Sequence, residues 1–278
     1  MENPALMSQQ KTASPRRLSV DFFAQARQQG RKLVVLTAYD ALFARLEDQA
    51  GVDAILVGDS AGMVVAGHDS TLPVTMEQML YHTQCVSRGV QRAFVIADMP
   101  FLSVQVSREQ ALVNCGRMLA EGGAQAVKIE GGTAMAPTIR AIVEAGMPVM
   151  GHVGLVPQSI HTLGSYRTRG VDTTEARRIR EDVLALQDAG CFSIVLEKVE
   201  PGLAAELTEL LAIPTIGIGS GGGCSGQVLV NADMLGLFEE FRPRFVRRFA
   251  ELADEVRRAV GEYATAVRSG DFPRKDEI

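Results

Sequence analysis

Short aliphatic runs recur along the chain, separated by longer stretches of mixed polarity. The runs are Leu33–Ala38, Ala54–Val57, Ala93–Ala97, Ala126–Ile129, Pro148–Met150, Ser193–Leu196 and Thr215–Ile218. They are nearly continuous in apolar residues, which fits strands of a parallel sheet covered on both faces. Between them lie helix-length stretches of mixed charge: Ala41–Ala50, Met76–Arg88, Arg108–Glu121, Thr138–Glu144, Thr174–Asp188 and Leu203–Leu211. Gly51, Gly89, Gly122, Gly146 and Gly190 follow such stretches, where a left-handed cap is wanted. Ser19 opens an amphipathic stretch, Val20–Gln29, that Gly30 closes, which predicts a short N-terminal helix. Gln227–Val230 is a candidate eighth strand. Apolar spacing at Phe241, Phe245, Phe249, Leu252 and Val256 predicts a long C-terminal helix over Phe238–Arg268, packed on the outside of the fold or on a sister subunit.

A repeated β–α unit with right-handed crossovers closes into a barrel or spreads into an open doubly wound sheet. The glycine fingerprint that opens a dinucleotide-binding sheet is missing, because Leu33–Ala38 runs into Tyr39-Asp40. The expectation is a single (β/α)8 TIM barrel over residues 19–278, after a flexible tail at 1–18.

The 278 residues suit one barrel, and 46% hydrophobic with 22% charged residues allows a large core. With 28 basic against 33 acidic residues the net charge is −5, which disfavours sequence-independent nucleic-acid binding. No apolar stretch approaches the roughly 20 residues that cross a bilayer. Met1–Ser14 is polar and lacks the apolar centre of a secretory signal. Cys85, Cys115, Cys191 and Cys224 form no CxxC pair, so reduced, buried thiols are expected rather than a zinc or redox site. A cytoplasmic enzyme follows.

Barrel chemistry sits at the carboxyl ends of the strands. Those ends read Tyr39-Asp40, Gly58-Asp59-Ser60, Asp98-Met99-Pro100, Lys128-Ile129-Glu130, Gly151-His152, Glu197-Lys198 and Gly219-Ser220-Gly221. Carboxylates recur at four or more of them, and converging buried carboxylates require a cation or basic partners. Hard oxygen ligands without a Cys–His set point to magnesium or a similar ion. Lys128 and Glu130 stand two apart on one strand and so share a face, which on an interior strand is the barrel mouth. Glu197 ends an apolar run, where desolvation would favour work as a base. Each residue also has a plain reading: Asp59-Ser60 as a helix cap, Asp98 as a turn former, His152 as a core histidine. The glycines around Ser220 could form a turn or offer N–H groups to an anion.

In order along the chain, Leu36-Thr-Ala-Tyr-Asp40, Val57-Gly-Asp-Ser-Ala-Gly-Met63, Asp69-Ser-Thr-Leu-Pro-Val-Thr75 and Ala97-Asp-Met-Pro-Phe101 resemble the ketopantoate hydroxymethyltransferase family. So do Val127-Lys-Ile-Glu-Gly-Gly132, Pro148-Val-Met-Gly-His152, Gly217-Ile-Gly-Ser-Gly221 and Gly226-Gln-Val-Leu-Val230. The resemblance runs from about Leu18 to Leu237. It implies a barrel of the phosphoenolpyruvate/pyruvate superfamily, Mg2+ dependence and a homodecamer. It also implies transfer of the one-carbon unit of 5,10-methylenetetrahydrofolate to 3-methyl-2-oxobutanoate, giving 2-dehydropantoate for pantothenate synthesis. By motif, Asp59 and Asp98 resemble the magnesium ligands, with Glu130 near the metal. Asp59, Ser60, Asp98 and Lys128 resemble substrate contacts, Glu197 the proton acceptor, and His152 a catalytic neighbour of the transferred group. In the implied chemistry the proton leaves carbon 3 of the 2-oxo acid, and magnesium chelated by that acid stabilises the enolate.

Leu102, Val104, Ser225 and Ala232 stand where the family usually has Gly, Tyr, Asp and His, which bears on loop geometry. Two other readings compete. A carbon–carbon lyase of the same superfamily would carry a catalytic Cys loop, where this chain has Gly151-His152-Val153-Gly154. A non-catalytic acid-binding barrel would leave Glu197 and the carboxylates without a purpose.

Overall fold

Most strands of this chain bury two faces, and the two faces enter different cores; in the first and last strands Val34 and Gln227 are exposed. The computed structural model describes residues 17–277; most of the expected 1–18 tail lies outside them. Eight parallel strands close into a barrel in sequence order: β1 (Leu33–Thr37), β2 (Ala54–Val57), β3 (Phe94–Asp98), β4 (Ala126–Glu130), β5 (Val149–Gly154), β6 (Ser193–Glu197), β7 (Thr215–Ile218) and β8 (Gly226–Leu229). β8 returns to β1 through the register Leu33↔Gly226 to Leu36↔Leu229, which removes every free edge. Alternate residues such as Leu33, Val35, Leu56, Phe94, Ile96, Met150 and Val195 fill the barrel interior. Their neighbours Ile55, Val57, Val95, Val127, Ile129, Ile194 and Leu196 pack outward against the helices. That double burial is why the strands read as continuous apolar runs.

The helix Val20–Gln28 plugs the amino end of the barrel. Phe23 is fully buried, with edge-to-face contacts to Phe94 at 5.3 Å and Phe192 at 5.1 Å between ring centroids. Arg27 ties the helix down by donating to the carbonyls of Thr208, at 2.7 Å, and Leu211.

The N-terminal helix and those expected between strands form within a few residues of their expected bounds, with short turns Ala61–Val64, Ile160–Leu163 and Asn231–Met234 added. Asp40 caps Ala41–Ala50 by accepting from the N–H of Leu42 and Phe43, which makes it a helix cap, not a site residue. Gly51, Gly146 and Gly190 are left-handed caps as expected. Gly89 is not: it ends the helix Met76–Gly89, and a Cβ there would meet the Ala41 carbonyl at 2.4 Å, so it serves close helix packing. After the next helix the left-handed residue is Gly123, not Gly122.

The long C-terminal helix needs the largest correction. Only Leu252–Ser269 is helical; residues 238–251 are not. Pro243 has no N–H to donate, its ring collides with the preceding turn, and it disfavours helix at Arg242. This segment crosses the barrel mouth instead. Phe245 packs so closely on Gly219 that a Cβ there would lie 2.7 Å from its ring. The helix Leu252–Ser269 has no buried residue, and Val256, Val260 and Tyr263 are exposed, so it does not pack on the barrel wall. No helix among the described residues is long and apolar enough to cross a membrane.

Candidate active site

The inward face of the barrel changes character along its length. β3 presents Phe94, Ile96 and then Asp98; β4 presents Ala126, Lys128 and Glu130; β5 presents Met150 and His152; β6 presents Val195 and Glu197. The last members gather at the carboxyl-terminal mouth in a cavity of about 180 Å³. Asp59, Ser60, Asp98, Lys128, Glu130, His152 and Glu197 all line it, so every candidate from the sequence reaches one place. Neighbouring register explains the pairings: Asp98 lies beside Lys128, and Glu130 beside His152.

Lys128 is the buried cation at the centre. Its Nζ is 2.9 Å from Asp98 Oδ1 and 3.1 Å from His152 Nδ1. Burial alone would lower its pKa, but Asp98, Glu130 and Asp59 outweigh burial and hold it raised. Burial raises Asp98; Lys128 opposes the rise and Asp59 and Glu130 add to it. Asp98 Oδ2 accepts from the Asp59 N–H at 3.2 Å, a bond to the end of another strand rather than to a local turn. Ser60 makes no cap bond; its Oγ meets the Tyr39 hydroxyl at 2.9 Å.

His152 Nδ1 also lies 3.4 Å from Glu130 Oε1, and Nε2 lies 3.3 Å from Glu197 Oε2. Burial and the Lys128 charge oppose its protonation, yet the adjacent Glu130 and Glu197 carboxylates outweigh them and raise it to about 9. When the ring is charged, both nitrogens face carboxylates. In the neutral ring the Lys128 ammonium needs Nδ1 as acceptor, leaving the hydrogen on Nε2. In either state Nε2–H lies on the Glu197 side.

Sequence reasoning missed Gln158 and Tyr166, and named Lys198 only as the end of a strand. Lys198 has φ +47, a rare conformation for a side-chain-bearing residue, and its Nζ is bonded to the Tyr166 carbonyl beside the cavity. Gln158 donates to Asp59 Oδ2 at 2.9 Å from a turn beyond β5. Ser220 bridges β6 and β7, accepting from Val199 N–H and donating to the Leu196 carbonyl. Phe245 occupies the space at Gly219, Pro201 that at Gly221 and Ala205 that at Gly223, so three of these glycines serve close packing, while Gly222 faces open space.

Five carboxylates, Asp59, Asp98, Glu130, Glu197 and Asp233, line the cavity with Lys128, Lys198 and His152, an acidic excess that suits a cation. Asp98 Oδ1 and Glu130 Oε1 are buried without an aligned hydrogen bond, and both are hard oxygen donors. As they stand, Asp59, Asp98 and Glu130 are not drawn together: among the described residues, no three His, Cys, Asp or Glu side chains are gathered into a metal-holding group. The donor set therefore fits a cation that is completed by ligands from outside the chain.

The sequence profile of the ketopantoate hydroxymethyltransferase family matches residues 17–275. The chain belongs to that family. The 3-methyl-2-oxobutanoate hydroxymethyltransferase of Trichlorobacter lovleyi is 56% identical, over 90% of this chain and 94% of its own. That of Pelobacter propionicus is 54% identical, over 94% and 97%. Ketopantoate hydroxymethyltransferases are enzymes, so the non-catalytic reading falls. Among solved structures, 2,3-dimethylmalate lyase, a PEP mutase/isocitrate lyase superfamily member, superposes with a TM-score of 0.61 at 18% identity, covering 95% of this chain and 92% of its own. Phosphonopyruvate hydrolase in complex with oxalate and Mg2+ gives 0.58 at 15% identity, over 94% and 93%. At such identity the likeness is one of fold; family membership sets this hydroxymethyltransferase chain apart from the lyases.

Proposed function

We propose that the enzyme transfers a hydroxymethyl group from 5,10-methylenetetrahydrofolate to 3-methyl-2-oxobutanoate, consuming one water and forming 2-dehydropantoate, in pantothenate and coenzyme A biosynthesis. The observation that carries this reading is the placement of Glu197. Its carboxylate ends the inward face of β6, beside His152, in the cavity that Asp59, Asp98 and Lys128 also line. It is a base kept apart from the carboxylates suited to a cation.

Asp59 and Asp98 would hold Mg2+, with Glu130 beside them. When bound, the ion supplies Lewis-acid stabilisation of negative charge on the 2-oxo acid. Glu197 takes the proton from carbon 3, a step a placed carboxylate speeds by about 10²–10⁴. The Lys128 ammonium offsets the excess of carboxylates, and Ser60 and Lys128 orient the acid's carboxylate and keto oxygen. His152, with Nε2 3.3 Å from Glu197 Oε2, sets a basic ring beside that carboxylate and faces the arriving one-carbon unit. The donor enters over the acceptor, against a rim of Phe238, Phe241 and Phe245 with the carboxyl of Asp233, all lining the same cavity. The methylene carbon meets carbon 3 there, and the barrel's apolar floor keeps water from the opposite side.

The enzyme acts in the cytoplasm as a homo-oligomer, a decamer. Incubation with 3-methyl-2-oxobutanoate, methylenetetrahydrofolate and Mg2+ tests the reaction. Formation of 2-dehydropantoate is expected, and its absence under all metal conditions sinks the reading. A sedimentation mass near one 29.9 kDa chain would overturn the oligomer.

A further inference from the structure

Gln158 belongs to a short turn, Pro157–Ser159, after β5, yet it reaches the ends of three other strands. Its backbone N–H donates to Glu130 Oε2 at 3.0 Å, at the end of β4. Its side-chain Nε2 donates to Asp59 Oδ2, after β2, at 2.9 Å and to the Met99 carbonyl, after β3, at 2.8 Å. Gln158 is buried, and only a carboxamide supplies two N–H donors here without adding charge. One nitrogen therefore ties a carboxylate to a backbone carbonyl on the neighbouring strand, while the main chain grips a second carboxylate.

The bonds also select oxygens. Gln158 occupies Oδ2 of Asp59 and Oε2 of Glu130, and leaves Glu130 Oε1 buried without an aligned hydrogen bond. Asp59 Oδ1 accepts no hydrogen bond among the described residues. Fixing one oxygen of a carboxylate fixes where the other points, and outer partners of this kind govern how well a site is organised for a cation.

We infer that Gln158 is a positioning residue which orients the Asp59 and Glu130 carboxylates toward the cavity and so prepares the site for its cation and the 2-oxo acid. The inference rests on the reading of the site proposed above. It places the β5 turn, which carries none of the sequence-predicted groups, in control of the ends of β2 and β4.

The test is Gln158→Met, which keeps the length of the side chain and removes both donors. Mn2+ is titrated onto the enzyme directly, by electron paramagnetic resonance without turnover; exchange of the carbon-3 proton of 3-methyl-2-oxobutanoate and the melting temperature are measured alongside. The expected result is a Mn2+ dissociation constant raised about tenfold or more, with kcat for exchange reduced to a similar degree. A lowered melting temperature with Mn2+ affinity and exchange within twofold of the parent overturns the inference, since that is the signature of packing alone. Should Gln158→Met fail to fold, Gln158→Glu, of the same shape and polar, carries the same readouts, and unchanged affinity and kcat overturn the inference equally. A parent enzyme that shows neither exchange nor product sinks the proposed reaction instead, so the two failures are distinct.

Discussion

The two ends of the barrel interior are built from the same alternate strand positions and treat charge in opposite ways. At the amino end, Asp53 precedes β2 and is fully partnered: Oδ2 accepts from Val34 N–H at 3.0 Å, while Oδ1 pairs with Arg31 at 2.7 Å and Arg92 at 3.4 Å. Above it the interior is apolar, sealed by Phe23, Phe94 and Phe192. At the carboxyl end, two to four residues further along the same strands, carboxylate oxygens of Asp98 and Glu130 are buried without an aligned hydrogen bond. Their partners are the shared Lys128 and His152, and carboxylates buried around two basic groups are costly to desolvate, so the mouth gives up stability that the floor supplies. The difference teaches which end is kept for folding and which for chemistry.

The sharpest break of that comparison is at Glu197. Glu197→Gln is expected to slow exchange of the carbon-3 proton by about 10²–10⁴ while the 2-oxo acid still binds; proton NMR in heavy water reads it, and normal exchange removes Glu197 as the base. At the floor, Phe23→Ala is expected to cost about 3–5 kcal/mol in denaturant unfolding, with kcat at 25 °C within about twofold of the parent. A large fall in kcat of the folded variant would show that the two ends are not separate.

Glu47 offers the cost of a buried carboxyl away from the cavity. Asn231 donates to its Oε1 at 3.1 Å and Oε2 is unpartnered. Burial pushes its pKa from 4.5 up to about 8, so the fold prefers the neutral form. Its contribution to stability is full below about pH 4.5 and is lost as pH rises through about 8. Glu47→Gln should therefore match the parent in acid and exceed it by about 1–3 kcal/mol above pH 8; a difference that does not grow with pH refutes the assignment.

The smallest effect is expected at Leu102, an exposed residue near the mouth held at φ +61. Leu102→Gly relieves that strain, and part of the gain is offset by the greater freedom of glycine in the unfolded chain, for a net stabilisation of about 0.5 kcal/mol. Thermal melts check it, and a loss of stability would mean that the Leu102 side chain makes a contact worth more than the strain.

Much of this could be read from residue order. Seven strands were visible because burial leaves a nearly continuous apolar run, the eighth was only a candidate because Gln227 interrupts it, and Lys128 and Glu130 were placed in the mouth by their spacing of two. The C-terminal region was misread because the apolar spacing from Phe241 to Val256 mimics a helix, although Pro243 forbids one. Phe245 finds its partner in Gly219, on the far side of a turn, and no local pattern announces that.

By itself, then, the order of residues determined the family, the barrel and the set of charged groups at its mouth, because periodicity and strand-end position are local properties. Only the tertiary structure decided how those groups pair. Gln158 meets Asp59 across 99 residues and Glu130 across 28, and His152 is shared among Lys128, Glu130 and Glu197. Such contacts depend on strand register, barrel closure and the path of a turn, which arise only when distant segments are packed together.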